Sequence, residues 1–99
     1  MYLRVTMNTI ARDKAGELRS VLNEMDEHRA NNGYTPVEWL TGLTGRPEEL
    51  ISVQRYEKLA DYEAALGKIA NDSVYKALLG RLKECTVPGE GQIQLLKTY

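Results

Sequence analysis

Three aromatic side chains and one histidine are the residues of this sequence best suited to act on a small molecule. Trp39 offers a face for stacking on a planar ligand. Tyr62 and Tyr75 offer hydroxyls to a pocket between helices and sheet. Core packing accounts for all three equally well, because a buried aromatic contributes large apolar area and then needs one polar partner. His28, the only histidine, lies beside Glu24, Glu27 and Arg29. It has the chemistry of a general base or a heme ligand, yet near a helix C-terminus a protonated imidazole is also favoured by the helix dipole, and that structural role is the one expected. The lone Cys85 excludes an intramolecular disulfide and fits a reducing compartment; at the tail of a helix it lacks the cationic setting that activates a thiol. Glu48, Glu49, Glu57, Asp61 and Glu63 fall at turns or helix starts, where negative charge is favourable and solvated, so no catalytic carboxylate pair is expected. His, Cys and carboxylates show no metal-ligand spacing, and neither metal nor cofactor is expected.

The elements that must position these residues follow from periodicity. Tyr2 to Ile10 alternates Leu3, Val5 and Met7 with Arg4, Thr6 and Asn8, which predicts a strand. Arg12 to Asn31 changes to the helical period, with Ala15, Leu18, Val21, Leu22 and Met25 as its stripe and Asp13 as N-cap. Asn31, Asn32, Gly33 and Pro36 end it. Thr35 to Thr44 and Glu49 to Tyr56 read as two strands of an antiparallel hairpin, turned at Gly45, Arg46 and Pro47. Leu59 to Leu82 is helical in two pieces, broken at Asn71, Asp72 and Ser73, with Asp72 or Ser73 capping the second. After Val87 to Gly91, Gln92 to Tyr99 is the last strand. The glycines at 89 and 91 precede a strand rather than a helix, so they form no phosphate cradle.

At 99 residues, 42% hydrophobic and 27% charged, the chain suits a single soluble domain over residues 1–99. Its net charge of −1 and lack of a basic stripe argue against nucleic acid. No segment is apolar enough to span a bilayer and none resembles a signal peptide, so a cytoplasmic protein without membrane contact is expected.

Two stretches resemble the dimeric α/β barrel (ferredoxin-like) superfamily, and its NIPSNAP-like branch most closely. One is the strand Tyr2 to Ile10 followed by Lys14-Ala15-Gly16-Glu17-Leu18; the other is Val53 to Leu66, a strand ending in Tyr56 that passes into an acidic helix start. Asn71 to Leu78 adds a weaker match. The resemblance implies an α+β fold of order β-α-β-β-α(α)-β and a homodimer whose two sheets close into a barrel. It also brings a range of activities, including cofactor-independent monooxygenases, lactone isomerases and heme-degrading enzymes. The last use an asparagine on the first strand with a tryptophan and a histidine from the second helical region. Asn8 occupies the first position, but Lys58 to Leu82 holds neither of the others, so that activity is not carried over.

The residues alone give the same architecture: a four-stranded antiparallel sheet with helices on one side. Leu3, Val5, Met7, Val37, Trp39, Ile51, Val53, Ile93 and Leu95 are expected to face the helices. Tyr2, Arg4, Thr6, Asn8, Glu38, Leu40, Leu50, Gln54, Tyr56, Gln94 and Leu96 are expected on the other face, covered by a second copy, with Arg4 and Glu38 paired inside the barrel. On that register Val53→Asp unfolds the protein and Gln54→Ala does not. The expected ligand site lies between the central strands and the helix pair, at Asn8, Trp39, Tyr62 and Tyr75. Because Asn8 and Trp39 are assigned opposite faces, a bulge or the sheet end must bring them together. The functional expectation is a homodimer binding a small hydrophobic or aromatic metabolite; the alternative is a cofactor-independent monooxygenase or isomerase.

Overall fold

The computed structural model of the chain describes residues 1–44 and 48–99, so the expected turn at Gly45 to Pro47 lies outside the described residues. The elements are β1 (Tyr2–Thr9), α1 (Ala15–Asn31), β2 (Glu38–Thr41), β3 (Glu49–Tyr56), α2 (Leu59–Ala70), α3 (Ser73–Glu84) and β4 (Gln92–Lys97). They form one antiparallel sheet in the order β2-β3-β1-β4, the ferredoxin-like α+β arrangement expected from the sequence.

Helix α1 starts three residues later than its period suggests, since Lys14 N–H donates to the Ala11 carbonyl at 3.0 Å and closes a turn across Asp13. Lys14, not Asp13, is the N-cap, and it makes no side-chain capping bond. Gly33 takes φ +71°, a left-handed conformation that glycine adopts without steric cost, just beyond the helix end. Asp72 caps α3 by accepting from Tyr75 N–H at 3.0 Å, as Asx residues at this position do. β2 is shorter than the sequence suggests; Pro36 lacks the N–H a ladder needs and lies before the pairing begins.

The core lies between α1, α3 and the sheet. Val21, Met25, Tyr75 and Leu78 form one buried cluster and Leu18, Leu50 and Cys85 another, with Leu22, Trp39 and Leu82 packed on both. Contacts at the 18, 21 and 25 positions of α1 are those its apolar stripe predicts.

The facing of β1 and β3 is the reverse of the expectation. Leu50, Ser52, Gln54 and Tyr56 are buried, and the register sets them beside Asn8, Thr6, Arg4 and Tyr2. It is this row that lies under the helices. Leu3, Val5, Met7, Ile51 and Val53 point to the free face with Leu40 and Leu96. Trp39, Ile93 and Leu95 do share the helix side, since they pair with Ser52, Thr6 and Arg4. Both rows of β1 and β3 need cover, so alternation fixes the period without fixing which row meets the helices. The row under the helices is polar because it floors a cavity. The expected Arg4–Glu38 pair does not form: Glu38 accepts from Arg55 at 2.7 Å on the free face, and Arg4 is on the opposite side.

Candidate functional site

A cavity of about 440 Å³ separates the sheet from the helices. Its floor is polar: Arg4, Thr6 and Asn8 from β1, and Ser52 and Gln54 from β3. Its roof is apolar, with Tyr62, Leu66 and Ile69 from α2 and Tyr75, Leu79 and Leu82 from α3. β2 contributes Trp39, and the start of β4 contributes Gly91, Gln92 and Ile93. Leu66, Leu79 and Ile93 stay exposed, and α2 packs on β3 and α3. The cavity therefore opens toward β4. Its size is within the usual range for a small-molecule site.

Asn8, Trp39, Tyr62 and Tyr75 all line this cavity. No bulge is needed to bring Asn8 and Trp39 together, because both lie on the helix side of the sheet. Trp39 Nε1–H donates to Asp26 Oδ1 at 2.8 Å, which satisfies its polar atom outside the cavity and leaves the ring as wall. Tyr75 is 2% exposed, and its hydroxyl oxygen accepts from Arg29 Nη1 at 2.7 Å, which anchors the ring that forms part of the cavity wall. Tyr62 meets Tyr56 edge to face at 5.5 Å between centroids. Tyr56 in turn donates its hydroxyl to Gln54 Oε1 at 2.8 Å. Thr6 and Ser52 hydroxyls hydrogen-bond each other across the strands. The amide of Asn8 makes no hydrogen bond among the described residues. It lies close to Gly91, where an added Cβ would come within 2.7 Å of Asn8 Oδ1. Gly91→Ala is therefore expected to turn the Asn8 amide while leaving the melting temperature nearly unchanged, visible as a shift of the Asn8 side-chain amide resonances in an NMR spectrum.

His28 does not reach the cavity. Its Nε2–H donates to Asp72 Oδ2 at 2.8 Å, and its Nδ1 accepts from the Asn32 amide at 3.3 Å. Its ring stacks on Tyr75 with centroids 5.9 Å apart. With both ring nitrogens hydrogen-bonded, the ring has a structural role, through Asp72 and Asn32 rather than through the helix dipole. Asp72 also accepts from the Tyr34 hydroxyl at 2.7 Å, and Lys68 lies over the Tyr34 ring while bonding the Asn32 carbonyl. Together these groups tie the end of α1 to the start of α3. Sequence reasoning missed Tyr34 and Arg29, although four residues beyond Met25 the α1 stripe does arrive at Arg29. Among the described residues no group of three His, Cys, Asp or Glu side chains could hold a metal, and no helix is long and apolar enough to cross a membrane.

Hydrogen bonds from His28, Tyr34 and the Tyr75 backbone N–H hold the Asp72 carboxyl well below the usual carboxylate range. Burial, together with the bond to Asp72, pushes the Tyr34 phenol up to about 12. The signs are opposite. A depressed carboxyl contributes stability that is present above its unfolded value of ~4 and is lost as pH falls through the folded value. A raised phenol contributes stability that is present below ~10 and is lost as pH rises from there through the folded value of about 12. In urea titrations, the stability advantage of the wild type over Tyr34→Phe is expected to be flat near neutrality and to shrink above ~10. A constant difference across that range would contradict the assignment.

No protein-family model and no curated protein matches the sequence. Solved structures do match its fold. An uncharacterized NIPSNAP domain protein from Burkholderia xenovorans aligns with a TM-score of 0.79 at 14% identity, covering 100% of this chain and 95% of its own. A NIPSNAP family protein from Agrobacterium tumefaciens gives 0.78 at 18%, covering 99% and 92%. A protein described as an antibiotic biosynthesis monooxygenase gives 0.78 at 11%, covering 100% and 99%. The fold these structures share with the chain is the ferredoxin-like α+β arrangement, and NIPSNAP domain proteins are among its structural neighbours.

Proposed function

Taking that fold as the premise, we propose that the protein is a homodimer that binds a small hydrophobic or aromatic metabolite between sheet and helices, with Asn8, Trp39, Tyr62 and Tyr75 among its contacts. The observation that carries this reading is the cavity itself: an aromatic and aliphatic roof above a floor whose Asn8 amide is uncommitted. An apolar enclosure with a few placed polar groups is the usual composition of a ligand site. The dimer is supported by the free face, where Leu3, Val5, Met7, Leu40, Ile51, Val53 and Leu96 form a continuous aliphatic surface. Isolated soluble proteins rarely leave such a surface open. Four strands with these spacings give a footprint of roughly 500 Å² before side-chain relief is added, which approaches the ~800 Å² per partner of a standard interface. Binding to the native state must raise the melting temperature. A thermal-shift panel of one-, two- and three-ring aromatics is expected to give at least one concentration-dependent rise that Asn8→Ala reduces. No rise with any of them would refute the ligand reading.

The second reading is a cofactor-independent monooxygenase or isomerase working in the same cavity. The uncommitted Asn8 amide favours it, since one placed donor can orient a substrate that carries its own reactivity. Two structural neighbours also carry a monooxygenase name. Oxygen uptake with 1,4-dihydroxynaphthalene is the test of the oxygenase form: acceleration over buffer that is lost in Asn8→Ala supports it, and a rate equal to buffer rejects it.

A further inference from the structure

We propose that the cavity selects an anion, a flat aromatic carboxylate bound with its carboxyl on Arg4 and its ring system running along the floor toward Asn8. The inference rests on the reading of the cavity as a ligand site and names the class of ligand it takes.

Arg4 is the charged group of the floor, and it has no hydrogen bond or ion pair among the described residues. Its neighbours across the strands are Gln54 and Leu95, and neither can neutralise it. Among the described residues no Asp or Glu lines the cavity, and the other charged group there is Lys83, also a cation. A half-buried guanidinium without a carboxylate is costly in the empty protein, and a ligand anion would remove that cost.

The fork of an arginine matches a carboxylate in two parallel hydrogen bonds. Gln54 extends that donor set. Its amide oxygen is occupied by the Tyr56 hydroxyl, which leaves the N–H₂ for whatever lies beside Arg4. Beyond this pair the floor offers only neutral groups, and the Thr6 and Ser52 hydroxyls already bond each other. Arg4 is the one cation of the floor, Lys83 belonging to α3 on the opposite wall, and a single guanidinium with neutral donors beside it suits one negative charge better than a phosphate dianion. The roof above is aromatic and aliphatic, so the remainder of the ligand is apolar. Arg4 and Asn8 are separated by four residues of strand, roughly 14 Å at ~3.4 Å per residue, a span that two fused rings with a carboxyl group and its hydrogen bonds largely fill.

The test compares 2-naphthoate with 2-naphthamide, a neutral molecule of almost the same shape, by titration calorimetry. The acid is expected to bind at least ten times more tightly than the amide. Arg4→Gln should weaken the acid by that factor and leave the amide unchanged, and Arg4→Lys should keep part of the preference. Asn8→Ala, at the far end, should weaken both alike. Equal binding of acid and amide to the wild type would overturn the anion assignment while leaving the cavity as a neutral-ligand site. So would an Arg4→Gln variant that weakens both equally. If neither compound binds, the ligand-site reading fails and the anion assignment fails with it. The wild-type comparison stands even if Arg4→Gln does not fold.

Discussion

Val53→Asp is expected to give a folded monomer. Val53 lies mid-strand on the free face of the sheet, between Val5 and Glu38 in the register. In a twofold dimer that buries this face, each interface would carry two new carboxylates, each set beside Glu38, whose neighbouring cation Arg55 is already paired with it. Taking such groups out of water costs several kcal/mol. A weakening of at least a hundredfold, or ~2.7 kcal/mol, is therefore expected in the dimer dissociation constant. The helix-side core is not touched, so the far-UV spectrum and a cooperative melt should survive. Leu50→Asp is the contrast: Leu50 is 5% exposed and packs with Leu18 and Cys85, and a carboxylate there should unfold the chain. Sedimentation velocity and circular dichroism on the two variants separate the outcomes. If both lose their fold alike, the free face contributes to the monomer itself and the dimer argument fails.

That prediction reverses the one drawn from sequence, and the reversal marks where sequence stopped being informative. Element order, the helix break capped by Asp72 and the stripe of α1 were all legible, because each depends on local period or capping chemistry. So was the helix-side position of Trp39 and Ile93. What alternation could not convey was which row of β1 and β3 meets the helices. Leu3, Val5 and Met7 are the more apolar row and look like core; they lie on the free face. Arg4, Thr6, Asn8, Ser52 and Gln54 look like surface and instead floor the cavity. A sheet with its polar row against a hollow and its aliphatic row on the free face inverts the usual rule that the oilier row is the inner one. The same inversion produced the apparent conflict between Asn8 and Trp39 and the unformed Arg4–Glu38 pair. Arg29 was missed for a different reason: a charged residue in a helical stripe reads as the end of the apolar face, whereas here its stem and guanidinium continue it.

Arg29→Ala is expected to be the most damaging single change outside the aliphatic core. The side chain is 1% exposed and has no carboxylate partner among the described residues. Its charge is instead distributed over neutral acceptors. Nε and Nη2 donate to the Thr35 carbonyl, and Nη1 donates to the Tyr75 hydroxyl. The guanidinium carbon lies 5.1 Å from the Tyr34 ring centroid and 5.4 Å from that of Tyr75, close enough for both ring faces to contribute. Truncation would open a cavity and strip the partly buried Thr35 carbonyl of its two guanidinium donors, a loss on the order of 3 kcal/mol. For a chain of this length that corresponds to roughly 12–24 °C in melting temperature. Lysine should recover little, because one ammonium cannot fork to Thr35 and also reach Tyr75. The link to the ligand site runs through Tyr75, whose ring is cavity wall. Tyr75→Phe removes one of the three bonds and should cost ~1 kcal/mol alone. The double variant should cost less than the sum of the two singles by a similar amount, since the same bond is lost in each. Strict additivity in that cycle would show that Arg29 and Tyr75 act separately, and the tie between the end of α1 and the cavity wall would have to be sought in the His28–Asp72–Tyr34 hydrogen bonds instead.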